Sequence, residues 1–517
     1  MDDSKNRKLG AFLSYVSIIA SVLIQLLYTP LLIGKLGQSE YGLYSLINSV
    51  IGYLTILDLG FGNAIVVYTA KYRAQKKYDE EKKLQGMFFL IFCIIGFITG
   101  LLGLIFYFNV NNLFGATMND TELYKAKKMM LILTFNLVIT FIFSIYSSIL
   151  NAYEKFIYQK LISILNTILK PVIMIPLLFL GFKSITMVIV ITILNIAVLI
   201  SNYIYCRKKL NIKIKFMGFD RNLFKVIFSY SIWIFLGTIV DKINWSVDQF
   251  ILGAICGTTA VSIYSVAGQI NTLFINLSTG VSGVLLPKIS KMVAKRATPE
   301  KLTDEFIKVG RIQFYIIFLM TSGLVLFGRE FIIWWVGEDY IDSYYCLLFL
   351  IIPLSITLIQ NLGISIRQAM NKHKFAAIVN IIVAIINLII SVFLARWFGP
   401  VGSALGTGIG IIVSIFIINL YYNFNMKLNM RKFWSNIFRL LIRYILLIIA
   451  IVLLMHFYKI HGIANVFVYG SIYTVVYIII TYYLSFNEYE KKLVKNVIEK
   501  FRRWNYDKNI KTLYKKG

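Results

Sequence analysis

An all-α integral membrane protein is the fold class this sequence predicts. Three observations carry the prediction: an excess of apolar residues, their grouping into long runs, and a basic bias on alternate connections. Of 517 residues, 58% are hydrophobic and 15% charged, and the mean hydropathy is +0.74. Soluble proteins average about 25% charged residues. So much apolar side chain exceeds what a soluble core holds, so most of it must face lipid. That excludes a soluble enzyme, a disordered chain and a disulfide scaffold.

A transmembrane helix takes roughly 20 apolar residues, because the hydrocarbon is about 30 Å thick and a helix rises about 1.5 Å per residue. Fourteen such runs lie near 11–34, 42–70, 86–108, 129–151, 158–180, 184–205, 224–252, 261–287, 312–335, 344–366, 376–397, 401–424, 434–457 and 463–485. Spans 2, 7 and 8 are long enough to tilt or kink, and the hairpins at 181–183 and 398–400 are very short. Alternating segments of about ten residues, the mark of a membrane barrel, are absent.

The net charge of +29 would suggest nucleic acid in a soluble chain; here its placement reports orientation. The N-terminus, the connections after spans 2, 4, 6, 8, 10 and 12, and the C-terminal tail hold 43 of the 53 Lys and Arg residues. The opposite side holds eight, and Lys170 and Lys242 fall inside spans. The preference of Lys and Arg for the cytoplasm therefore places both termini there. Span 1 is too long for a signal-peptide core and lacks a small-residue cleavage site, so it reads as an anchor. Cys93, Cys206, Cys256 and Cys346 show no paired spacing. The basic tail reads either as an amphipathic helix on the inner leaflet or as a solvated charged helix.

The chain also repeats itself. IGKLGQSEYGLYSL (33–46) and LGAICGTTAVSIYSV (252–266) both place Gly, six residues, then Tyr-Ser, at Gly37 to Tyr44 and Gly257 to Tyr264. Gly60 and Gly280 keep the same offset of 220, Phe156 and Phe375 differ by 219, and Gly181 and Gly399 by 218. An even number of spans per copy gives both copies one orientation. The expected organisation is an N-lobe (1–206, helices 1–6), a cytoplasmic linker (207–223) and a C-lobe (224–424, helices 7–12). Helices 13–14 (425–485) and a basic cytoplasmic tail (486–517) follow. Parallel repeats of this kind recur in transporters that hold substrate between halves and rock.

Carried by LLIGKLGQSEYGLYSL (31–46), LDLGFGNAIVVYTAKY (57–72), VDQFILGAICGTTAVSIYSV (247–266) and AMNKHKF (369–375), the chain resembles the Wzx-type polysaccharide and O-antigen flippases. These belong to the multidrug/oligosaccharidyl-lipid/polysaccharide exporter superfamily. The resemblance implies a flippase for an undecaprenyl-pyrophosphate-linked oligosaccharide in a bacterial plasma membrane, working by alternating access on a proton or Na⁺ gradient. It implies no other cofactor, and as partners the lipid-linked sugar, the bilayer, and a polymerase or other polysaccharide-assembly proteins. The superfamily's lipid II flippases keep several basic residues in the first helix; here 11–34 has none, and its polar groups include Ser14, Ser17, Ser21, Gln25 and Tyr28.

Ionisable residues inside spans are costly and by default face a cavity or a partner. Lys170 precedes Pro171 midway along span 5; the proline frees a backbone carbonyl and kinks the helix, leaving a cation suited to a pyrophosphate. Asp241, Asn244, Trp245 and Asp248 share one face of span 7, and Lys242 lies about 100° round it. The aspartates read as ion-coupling candidates and Lys242 as a phosphate contact or the partner of Asp241. Asp58, beside Gly60 and Gly62, is an ion ligand or the cap of a broken helix. Arg367 ends span 10 as a phosphate contact or cytoplasmic rim. Gln25, Asn136, Gln269, Asn271, Gln360 and Asn361 offer hydrogen bonds to sugar hydroxyls or between helices. No phosphate loop, H-E-x-x-H motif or grouped histidine is present. The rival readings are a drug or organic-cation antiporter, a lipid II flippase, and a glycan polymerase. The last needs a large extracytoplasmic loop, and the longest here, about 109–128, is short.

Overall fold

A computed structural model describes residues 3–212, 214, 218–283, 286–370, 372–457, 462–496 and 499, which form helix almost throughout and no strand. The helices are α1 (Asp3–Leu36), α2 (Gln38–Leu54), α3 (Phe61–Ala74), α4 (Tyr78–Phe114), α5 (Asp120–Ala152), α6 (Phe156–Phe179), α7 (Ser184–Lys208) and α8 (Arg221–Ile255). Then come α9 (Thr258–Gly283), α10 (Leu286–Ala294), α11 (Pro299–Val336), α12 (Ile341–Ile359), α13 (Leu362–Ala369), α14 (His373–Phe424), α15 (Met430–Phe457) and α16 (Ile463–Ile480). Among the described residues, eleven helical runs are long and apolar enough to cross a membrane. Bulky apolar side chains point outward from them, Phe97 at 67% and Trp397 at 81% exposure. Lipid, not water, is the solvent such a surface matches.

Two expected features of the spans have visible physical causes. Span 2 is broken: α2 ends in a single 3₁₀ turn at Thr55–Asp58, Leu59 and Gly60 take left-handed backbone, and α3 begins at Phe61. The 52 residues of α14 are one helical run interrupted at Gly399, whose φ of 56° and ψ of −135° reverse the chain just before Pro400. The arms run antiparallel, as their hydrogen bonds show: Ser414 to Asn380 at 3.1 Å, Thr407 to Asn387 at 3.3 Å, and Ser391 to the Ser403 carbonyl at 3.3 Å. This is the short hairpin expected at 398–400. The elbows of the repeat also match in conformation, with Gly37 at φ 82° and Gly257 at φ 86°.

By contacts the chain divides into two compact units whose limits differ from those of the sequence repeat. The first contains residues 1–276, 335–354 and 372–418. Its core includes Phe61, Met87, Phe88, Phe92, Ile145 and Ile149, all nearly inaccessible. The second contains 277–334, 355–371 and 419–517. There Phe306 stacks on Phe433 at 4.5 Å and Tyr444 on Tyr477 at 4.7 Å. Arg311, mostly buried, grips Glu490 at 2.6 and 2.8 Å and the Ser485 carbonyl at 2.8 Å. Most of the basic tail lies outside the described residues.

Candidate functional site

The first unit encloses a cavity of about 370 Å³ among α1, α2, α6, α7 and α9. The α6 wall is a single face: Asn166, Thr167, Lys170, Pro171 and Met174 recur at helical spacing. Pro171 lacks an N–H, so the Thr167 carbonyl four residues back loses its helical partner. That leaves a bare acceptor beside the lysine. Lys170 is the one cation in the lining among the described residues, and no carboxylate lines it. The other polar groups are Ser21, Gln25, Tyr28 and Thr29 from α1, Tyr41 and Tyr44 from α2, and Gln269 from α9.

Three sequence candidates, Gln25, Lys170 and Gln269, therefore meet in one cavity. Gln25 donates to Gln269 at 3.0 Å, Thr29 donates to the same carbonyl oxygen at 2.9 Å, and Gln269 in turn donates to the Tyr41 hydroxyl. The Asn166 side-chain oxygen is buried and has no hydrogen-bond partner among the described residues. Positive charge, hydroxyls and amides without acidic groups suit an anionic, hydroxyl-rich ligand and repel an organic cation. Asn166 was legible in outline, since it lies one turn before Lys170. Thr29, Tyr41 and Tyr44 were not, because α1 and α2 read as ordinary apolar spans.

Asp248 sits elsewhere, in a buried cage of hydroxyls. It is fully buried and accepts hydrogen bonds from Tyr264 at 2.5 Å, Ser403 at 2.7 Å and Thr407 at 2.8 Å. Asn387, which accepts from Thr407, and Ser391, which donates to Asn387 and to the Ser403 carbonyl, complete the cage from the other arm of α14. These three partners are neutral hydroxyls. A carboxylate in so apolar a place needs a proton or a cation to offset its charge. None of the α14 groups stood out in sequence, since single Ser and Thr residues abound in transmembrane helices.

The remaining candidates scatter. Asp58 lies at the break between α2 and α3, its carboxylate 3.6 Å from where a Cβ on Gly62 would stand. Lys242 is half-buried and turns its amine toward α2; a Cβ built on Gly52 would lie 3.7 Å from it. The side chains of Asp241, Asn244 and Trp245 lie outside the described residues. Asn271 is buried on α9 with its side-chain oxygen unpartnered among the described residues. In the second unit, Gln360 donates to Asn419 at 2.7 Å, and Trp434 donates to the same oxygen at 3.0 Å. Arg367, read from sequence as a possible rim residue, is 8% exposed and lies 5.6 Å from the Tyr422 ring centroid, one guanidinium nitrogen unpartnered among the described residues. Asn361 donates to Ser278 at 3.3 Å, and in the first unit Asn136 accepts from Asn195 at 2.6 Å. Among the described residues no cluster of His, Cys, Asp or Glu fit for a metal ion occurs.

The helical fold matches those of solved transporters. Over 92% of this chain and 98% of the other, it superposes on a lipid II flippase, MurJ, in an inward closed conformation with a TM-score of 0.70 at 21% identity. It also superposes on an inward-facing multidrug resistance MATE family transporter of the MOP superfamily, with a TM-score of 0.64 at 16% identity over 80% of this chain and 99% of that one. The fold is thus that of a multi-pass helical membrane protein. Residues 9–293 match the family described as polysaccharide biosynthesis protein, and the chain belongs to that family. A relative from Shigella flexneri, named "Putative O-antigen transporter", is 24% identical over 383 residues, 72% of this chain and 86% of the relative.

Proposed function

We propose that the protein is a flippase that carries an undecaprenyl-pyrophosphate-linked oligosaccharide, a surface or capsular polysaccharide repeat unit, across a bacterial plasma membrane. The observation that carries this reading is the cavity whose lining combines Lys170 with hydroxyls and amides and holds no carboxylate among the described residues. The pyrophosphate takes Lys170, because an unpaired buried anion is prohibitive. The sugars take Gln25, Asn166, Thr167 and Gln269. The polyprenyl chain stays in lipid. Lys242, Arg367, Asn271 and Gln360 serve at other stages of the cycle, when the headgroup leaves the Lys170 wall.

In this reading the chain crosses the membrane fourteen times with both termini cytoplasmic. Repeats 1–206 and 224–424 are the lobes that alternate access, and the partners are the lipid-linked sugar and the assembly proteins that polymerise it. The coupling ion is a proton or Na⁺, and the Asp248 cage is the group best placed to bind it; Asp58 and Asp241 are secondary candidates. An ion drives the cycle only by binding two conformations with different affinity. The antiporter reading is disfavoured by the net basic lining. The lipid II reading is disfavoured by a first span without basic residues.

The test is transport in reconstituted vesicles with defined lipid-linked sugars, with and without proton and Na⁺ gradients. Lys170→Ala combined with Lys242→Ala is expected to abolish movement of the headgroup while leaving the protein folded. Unchanged transport in that double variant would sink the cationic-cavity idea.

A further inference from the structure

At the Tyr41 end of the cavity a polar contact set joins the two repeat elbows. The Glu122 carboxylate does two jobs. One oxygen accepts the Asn119 backbone N–H at 3.0 Å, half of a capping box that starts α5. The other accepts the hydroxyls of Ser39, next to the first elbow, and of Thr258, next to the second, the latter at 2.8 Å. The Ser39 and Thr258 oxygens are 3.1 Å apart. The helices behind them touch through backbone, since a Cβ on Gly42 would collide with the Thr258 carbonyl. Beside this set, Glu40 holds Lys125 at 2.5 Å and the Ser184 hydroxyl at 2.5 Å, fixing α2 against α5 and α7.

A second polar set lines the cavity itself. Gln269, on the helix that Thr258 begins, accepts from Gln25 and Thr29 and donates to Tyr41, the residue before Gly42. Gln25, Thr29, Tyr41 and Gln269 all line the cavity. A hydroxyl-bearing headgroup there competes for the same donors and acceptors, because sugar hydroxyls both give and accept hydrogen bonds.

We propose that Glu122, Ser39 and Thr258 form the clasp that shuts this end of the cavity, and that the headgroup loosens it by taking Gln25 and Thr29 away from Gln269. The second half rests on the flippase reading above; the first does not. Glu122 is then a positioning residue that acts on the elbows, and Gln269 links the sugar-binding wall to them. A ligand moves such an equilibrium only through differential affinity, and a swing from 1:99 to 99:1 needs about 10⁴-fold. Breaking several hydrogen bonds together is a reasonable source for that.

The experiment uses the full chain with its four cysteines replaced and Met174→Cys as a reporter inside the cavity, labelled by a membrane-impermeant thiol reagent from the elbow side. Slow labelling is expected in this parent. Loss of two hydrogen bonds to a carboxylate should make Glu122→Ala label at least about tenfold faster, and Glu122→Gln, which keeps an acceptor oxygen, should stay near the parent. An undecaprenyl-pyrophosphoryl disaccharide should speed labelling of the parent and not of Gln269→Leu, which is fast already. A Ser39→Cys/Thr258→Cys pair, oxidised, should block labelling until reduced. Parent-like labelling of Glu122→Ala, or undiminished labelling of the oxidised pair, overturns the clasp. A sugar-induced rise that persists in Gln269→Leu overturns the trigger. Transport is scored separately, so loss of the flippase reading leaves the clasp result standing.

Discussion

At Lys170 the proposed function rests on one charge next to one proline. The amine belongs to a helix whose Thr167 carbonyl is freed by Pro171, on the wall of a cavity without acid groups. Lys170→Arg is expected to keep most transport, and Lys170→Ala to cut it about tenfold or more, in line with about 1.5–3 kcal/mol for a hydrogen bond to a charged group. Initial rates in vesicles check this. At Asp248 the argument runs through donors. Thr407→Val or Ser403→Ala removes one of three hydroxyls from a fully buried carboxylate, and each should cost about 1–3 kcal/mol of stability, read by thermal unfolding in detergent. Asp248→Asn should fold well yet lose dependence on the ion gradient. Lys170 and Asp248 were legible because a charge inside an apolar run is conspicuous. Their surroundings were not: Ser403 and Thr407 lie 155 and 159 residues from Asp248, and nothing local marks such neighbours.

At the level of elements, backbone geometry decides. The turn in α14 requires a residue that tolerates φ 56° with ψ −135°, a region open almost only to glycine. Gly399→Val is expected to destabilise by about 1–3 kcal/mol, seen as a lower melting temperature. Gly42→Ala should fail differently, because its Cβ meets the Thr258 carbonyl; wider separation of α2 and α9 would show as faster cavity labelling. The paired glycines Gly37 and Gly257 were visible in sequence as a repeat. That their helices meet backbone to backbone was not, since a glycine in a pattern does not say what approaches it.

For the whole molecule, the charge bias predicts which face is cytoplasmic. Lys76→Cys is expected to react with an impermeant reagent only from the cytoplasmic side and Trp397→Cys, near the tip of the α14 hairpin, only from the opposite one. Reaction from the same side would overturn the orientation. The spans were legible because hydropathy integrates over about 20 residues, and the break in span 2 was foreshadowed by its length. The division into compact units was not: residues 335–354 and 372–418 join the first unit and 355–371 the second, a partition that follows packing and not the order of the repeat.

Sequence alone determined that this chain lives in a membrane as helices, that it repeats itself, and which few charges sit inside the apolar spans. Those properties are sums over composition, period and local spacing, which the order of residues contains. Only the tertiary structure decided that Gln25, Lys170 and Gln269 share a cavity, that Asp248 is caged by α14, and that Glu122 binds both elbows. Each depends on side chains from distant segments meeting within about 3 Å, and that proximity arises from packing, for which a single sequence carries no direct record.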